Sequence, residues 1–564
     1  MRECTNLLHP RVLTYKNRLI ESFRKSRLRL LSKALLGIGF WAAVFLLFQK
    51  VLLFFRTMEP SGDLLNSGLL AVMLLTFFFT LFLSSLLSSF STFFLSEDLS
   101  LILSRPVSLL RLYCARLVET IGYSSWIVLL FAVPFLGAYG CVYGASAGYY
   151  LALPAALVPF FVIPSAIGAL LTMVLVNFLR AGRIRNIFIL LPIFSAIGLY
   201  LLLRFQRPEH AGNLFSLSGL AQYIRLWLDI SSQPFLPSFW VFESLMPLLK
   251  NTSGNTGFFL GILWITAGAT VIIGSRVSQA IFFRSWSKYQ ESRRVVLNRT
   301  PFFAHLLKII SRPLPLQIQA LAIKDFRIFF RDTIQWSQLF LLAILVALYL
   351  HSFSVLKFNE GPNFFLQNLV SFVSMGVVGF VAAAISVRFA FLAVSQEGFS
   401  FWVIRSSPIL LETFLWNKFW TSLIPLLLLS EGMILSSNWL VRAPRFMMIL
   451  SSLTLFFMMF GIVGLAVGIG AIYPRFKLEN PARLAIGLSG TLFLVVGMFF
   501  VVGVLLLEIW PVYTILAAEY RNQPLSLFQW GGIILSFCGA ALFIGVALFL
   551  PMRLGLKNLT EMDF

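Results

Sequence analysis

The chain has 564 residues, of which 59% are hydrophobic and only 12% charged, with 60 phenylalanines and a formal net charge of +22. Soluble domains hold roughly 45–50% apolar residues, and a mean hydropathy of +0.88 is more than a water-facing surface can carry. Composition thus excludes a soluble enzyme or binding module and points to an all-α polytopic membrane protein.

Runs of about 20 apolar residues mark membrane helices. In chain order the runs fall at 34–55, 68–95, 117–141, 149–178, 186–205, 258–281, 337–356, 366–393, 419–441, 446–472, 484–507 and 529–550, which predicts about twelve transmembrane helices. The N-terminal segment before the first run is long and basic, and no small-residue cleavage site follows that run, so it does not read as a cleaved signal. Cys4, Cys114, Cys141 and Cys538 are scattered and give no disulfide or zinc spacing.

Charge sets the orientation. With the N-terminus inside, 32 of the 44 Lys and Arg fall in cytoplasmic segments, 10 outside and 2 within spans. The positive-inside rule then places both termini in the cytoplasm. The large positive excess is therefore topology and attraction to anionic membrane lipids, with no nucleic-acid partner implied. The localisation expected is the inner (cytoplasmic) membrane of a bacterial cell.

The chain also repeats itself. Ser96–Arg116 reads SEDLSLILSRPVSLLRLYCAR, and Ser395–Lys418 reads SQEGFSFWVIRSSPILLETFLWNK. Glu97 aligns with Glu397 and Pro106 with Pro408, and a base, Arg116 or Lys418, follows each proline by ten residues. A second pair of loops matches in the same order: LRAGRIRN, with Arg180, Arg183 and Arg185, and YPRFKLENPAR, with Arg475, Lys477 and Arg483. Matching loops in matching order predict two six-helix repeats. The divisions expected are a first unit at 1–290 with an N-terminal amphipathic helix, a polar linker at 291–315, and a second unit at 316–564. The second unit opens on an amphipathic segment in which Lys324, Arg327 and Arg331 lie opposite Phe326, Phe329 and Phe330, the pattern of an interfacial helix.

Several chemistries are missing. The sequence has no G-x-x-x-x-G-K-[ST] phosphate loop and no Gly-Lys pair at all. Its four histidines are dispersed, with no metal-binding spacing and no Ser/His/Asp set, so no catalytic or metal residues are expected. One acid, Glu431, lies near the middle of an apolar run, where an ionised carboxylate costs about 2.5–3.5 kcal/mol. It must find a donor, face the bundle or carry a proton. A proton-coupled secondary transporter using Glu431 is the alternative function.

These segments, together with KDFRIFFRDTIQWSQ and NFLRAGRIRN, resemble permeases of the ABC-2 type, in particular the bacterial set of large two-half ABC exporters. The resemblance implies a non-enzymatic permease subunit of an ATP-driven exporter, powered by a separate cytoplasmic ATPase present in two copies. That partner would bind the ATP and Mg, leaving no cofactor in this chain. The resemblance also implies coupling segments between the second and third spans of each half, at Glu97, Asp98, Arg105 and Pro106 and at Glu397, Arg405 and Pro408.

Overall fold

The computed structural model describes residues 27–57, 62–178 apart from 95 and 97, 233–293, 315–331, 364–476 and 488–562 apart from 522, besides positions 13, 17, 346, 349 and 350. The expected run 186–205 lies outside the described residues, as does all but three residues of 337–356. Among the described residues every regular element is helical. In hydrocarbon each backbone amide must be satisfied within its own segment, and the helix does this without a partner. The chain divides into two compact units, Met1–Leu297 and Asn298–Phe564.

In the first unit the helices are α1 (Arg27–Arg56), α2 (Gly62–Phe93), the short α3 (Asp98–Leu103), α4 (Leu109–Tyr143), α5 (Ala147–Phe178), α6 (Pro237–Lys250) and α7 (Thr256–Arg293). Helix α5 forms the centre: 61% of its most apolar window is buried, against 11% for α1 and 17% for α7, whose apolar outer faces are exposed. The core joins Leu74 and Phe77 of α2, Phe135 and Tyr139 of α4, Phe160 of α5 and Leu245 of α6. Pro159 cannot donate to the carbonyl of Ala155 one turn before it, and the Trp264 indole of α7 takes that carbonyl at 3.0 Å. Helix α4 bends by 59° between Trp126 and Val128. Just before the bend, the hydroxyls of Ser124 and Ser125 both donate to the Ile121 carbonyl, at 3.3 and 2.6 Å, a back-bonding that bends helices.

The second unit contains α8 (Leu316–Arg331), α9 (Phe364–Ser386), a 3₁₀ turn (Ser395–Ser400), the short α10 (Phe401–Ser406), α11 (Leu411–Val441), α12 (Arg445–Ile472), α13 (Leu488–Arg521) and α14 (Leu527–Glu561). Helix α12 is central, with 78% of its most apolar window buried. It packs on α14 through Gly464 and Gly468, one helical turn apart. A methyl at Gly464 would stand 2.8 Å from the Leu548 Cα, and one at Gly468 2.5 Å from the Pro551 carbonyl carbon. Small residues at this spacing let two backbones touch, which supplies the dispersion contact that replaces the hydrophobic effect inside a membrane.

Nine described helices are long and apolar enough to cross a membrane, and α4 counted as one bent span makes ten. Each overlies one of the expected apolar runs. Helix α8 is not among them; it has the amphipathic sequence read above.

Candidate functional site

The repeated segments fold into two elbows, one per unit. In the first, α2 ends and the chain turns into α3, only six residues long, with Leu99 buried. The Ser96 hydroxyl donates to Asp98 Oδ1 at the start of α3. Arg105 and Pro106 lie exposed at the corner, where the Val107 amide donates to the Arg105 carbonyl at 2.7 Å, a three-residue turn. Helix α4 then begins, and its Arg116 reaches back into the elbow. Arg116 is only 2% exposed; it donates to Asp98 Oδ1 at 2.8 Å and to Glu119 at 3.1 Å. One turn on, the Thr120 and Thr92 hydroxyls meet at 2.9 Å, tying α4 to α2. Glu97, the acid aligned with Glu397 by sequence, lies outside the described residues.

The second elbow repeats the plan with more charge. The 3₁₀ turn carries Gly398 at φ 55°, ψ −143°, a backbone conformation that essentially only glycine adopts. Just before it, Glu397 turns inward, its side chain 4% exposed. Lys418 of α11, 5% exposed, donates to Glu397 at 2.6 Å and to Asp325 of α8 at 2.8 Å. Lys324 of α8, 35% exposed, donates to both carboxylate oxygens of Glu397, at 2.6 and 2.7 Å. The Asn417 amide completes the group at 3.4 Å from Asp325. Two bases and two acids thus cancel where a lone charge would be costly. Burial alone would raise the Glu397 carboxyl, but the attraction of Lys418, with the hydrogen bonds from both lysines, outweighs it and holds the group below the usual carboxylate range.

Aromatic packing ties the second elbow to the α12–α13 loop. Phe401 stacks on Phe476 with centroids 4.4 Å apart and planes 9° from parallel, and the Arg475 amide donates to the Ser395 hydroxyl at 3.2 Å. The two loops singled out by repetition therefore meet here. Arg405 is exposed and donates to the Met562 carbonyl, while Pro408 stands exposed at the corner. On α8, Arg327 faces outward, but Lys324 leaves that cationic face for Glu397. Nothing is described of the Arg331 side chain, which lies at the end of α8.

Glu431 sits apart from the elbows. Its Oε2 accepts from Ser452 of α12, and its Oε1 is buried with no partner among the described residues. The structure adds a second such acid. The sequence ends its eleventh run at 507, but α13 continues to Arg521, so Glu508 lies inside a helix, 3% exposed. It accepts from Thr454 of α12 at 2.9 and 3.0 Å. The signal available was the apolar stretch that resumes beyond Pro511. Among the described residues no three His, Cys, Asp or Glu side chains come together to hold a metal.

A family model described as "Putative ATP-binding cassette" matches residues 21–564. No curated protein and no solved structure matches the chain. The family match overturns the ABC-2 permease resemblance, which rested on short charged loops between apolar runs, whereas the match weighs almost the whole length. The functions read earlier are corrected with it: the exporter permease powered by a separate ATPase in two copies, and the proton-coupled alternative through Glu431. The expectations of a non-enzymatic chain and of no cofactor here are corrected too, because ATP binding is what the family is described by. The described residues themselves do not fit a nucleotide. They contain no strand from which a strand–loop–helix phosphate cradle could spring, and the clustered cations Lys324 and Lys418 are already bound by carboxylates. Matched over all but its first twenty residues, the chain belongs to the family described as a putative ATP-binding cassette.

Proposed function

We propose that the chain is a membrane-embedded component of an ATP-binding cassette system, acting with other components of that system, and that its two elbows relay movement between the cytoplasmic boundary and the spans. The observation that carries this reading is the recurrence, in each unit, of a buried base from the following helix pinned to an acid of the preceding elbow: Arg116 to Asp98 and Lys418 to Glu397. A six-residue helix pinned this way moves with the long helix behind it as one lever. Arg105 and Pro106 stay exposed on the first elbow and Arg405 and Pro408 on the second, so that each elbow by itself offers a partner a contact. Helix α8 lies in the headgroup plane with the exposed Arg327 toward the lipid phosphates, and Lys324 joins it to the second lever.

In this reading the runs 186–205 and 337–356 bring the spans to twelve, arranged as two six-helix repeats. The distribution of Lys and Arg supports cytoplasmic termini and a cytoplasmic linker at 291–315 in a cytoplasmic membrane. The test is maleimide labelling of single cysteines at Ser104 and Ser406, both exposed on the elbows, in a cysteine-free background in inverted native membrane vesicles. Addition of ATP with Mg²⁺ should change the labelling rate at least threefold at one or both positions, and Lys418→Met should abolish the change at Ser406. Rates indifferent to nucleotide at both positions would overturn the relay.

A further inference from the structure

Within the second unit, α8, the end of α9, the second elbow and α11 line a half-open cavity of about 150 Å³. Its lining has two characters. Most of it is apolar, with three phenyl rings, Phe326, Phe329 and Phe389, and Leu426 among the lining side chains, the Phe329 and Phe389 centroids 6.2 Å apart. At one end the acids Asp325 and Glu397 reach the wall with a single lysine, Lys418, between them. The second cation of the group, Lys324, does not line the cavity; it reaches Glu397 from the more exposed side, and its side chain is 35% exposed.

We propose that this cavity binds a lipophilic cation, a small apolar body carrying one ammonium group, whose charge takes the place of Lys324 at Glu397. The shape sets the size: a void of about 150 Å³ takes one molecule of roughly benzene's bulk. The rings set the sign, because the face of a phenyl group is negative and attracts an ammonium. The acids reinforce it, since the lining residues by themselves carry two carboxylates against one lysine. An anionic ligand would meet both Glu397 and Asp325 with only Lys418 to offset them. Lys324 is the displaceable partner, because a lysine at the solvent edge recovers its hydration when it leaves, whereas Lys418 would be left buried and uncompensated. A bound cation would remove the direct tie from Lys324 of α8 to Glu397 and leave Lys418 to bridge Asp325 and Glu397.

The test uses full-length protein in lipid nanodiscs, with empty discs as reference, titrated at pH 7 and followed by saturation-transfer NMR. The probes are benzylammonium, benzyl alcohol and benzoate, alike in shape and different in charge. Benzylammonium should bind at least tenfold tighter than benzyl alcohol, and benzoate should show no saturable binding. Lys324→Met removes the internal competitor and should tighten benzylammonium at least threefold, while Leu426→Trp fills the cavity and should abolish its binding. Equal binding of the alcohol and the ammonium would reduce the site to an apolar void and overturn the proposal. So would a Lys324→Met variant that binds benzylammonium no more tightly than the parent, a result that does not depend on how well Leu426→Trp folds.

Discussion

Lys418 reaches back across the Pro408 corner to Glu397 at 2.6 Å and at the same time holds Asp325 of α8 at 2.8 Å. One ammonium therefore joins three elements: the elbow, the amphipathic helix α8 and the long helix α11. Lys418→Met should leave Asp325 and Glu397 short of a buried partner and destabilise the fold by about 3–5 kcal/mol. Lys324→Met should cost far less, because a partly exposed pair is screened by solvent. Thermal unfolding of the two variants in the same detergent measures the ranking, and equal losses would contradict the central place given to Lys418.

The Glu397 carboxyl titrates below its ordinary value in the folded chain. A depressed folded pKa contributes stability that is fully present above the unfolded value of roughly 4.3 and is lost as pH falls through the lower folded value. Unfolding temperature against pH should therefore show an extra acid limb below about pH 4 in the parent. In Glu397→Gln that limb should be reduced, and the two curves should converge at low pH.

Gly398 lies at φ 55°, and a methyl there would meet nothing nearer than the Phe476 carbonyl at 3.8 Å. The cost of Gly398→Ala is thus backbone strain alone, about 1–3 kcal/mol. Circular dichroism should show unchanged helix content with a lower unfolding temperature.

Gly468→Ala acts by the opposite route, since its backbone is ordinary helix but its methyl would fall 2.5 Å from the Pro551 carbonyl carbon. Forcing α12 and α14 apart should cost about 1–3 kcal/mol. Gly545→Ala, on α14 with nothing within 4 Å, should be neutral or slightly stabilising. A loss at Gly545 as large as at Gly468 would refute close packing as the reason.

Thr454 is the donor to the buried Glu508 carboxyl. Thr454→Val strands that carboxyl and should cost about 1–3 kcal/mol. Glu508→Gln keeps an acceptor for the hydroxyl and should cost less. The order of the two unfolding temperatures decides whether the hydroxyl satisfies the acid.

What the sequence determined by itself was the material and its coarse division. Transfer into a bilayer sums along a continuous stretch of side chains, so the apolar runs were legible, and ten of the twelve coincide with described helices. The duplicated loops were legible too, down to the bases ten residues beyond Pro106 and Pro408, because repetition is a property of the string. Only the tertiary structure decided what those bases do. Lys324 and Glu397 are 73 positions apart, and whether a lysine faces lipid phosphates or a buried carboxylate depends on which element packs beside it. Asp98 became the acid that meets Arg116 because it opens α3, beneath the second turn of α4, an arrangement alignment with Glu397 could not convey. The apolar run stops at 507 because Glu508 and then Pro511 interrupt it. The folded bundle gives that acid a threonine donor, and a satisfied carboxyl can remain inside a helix that an unsatisfied one would end.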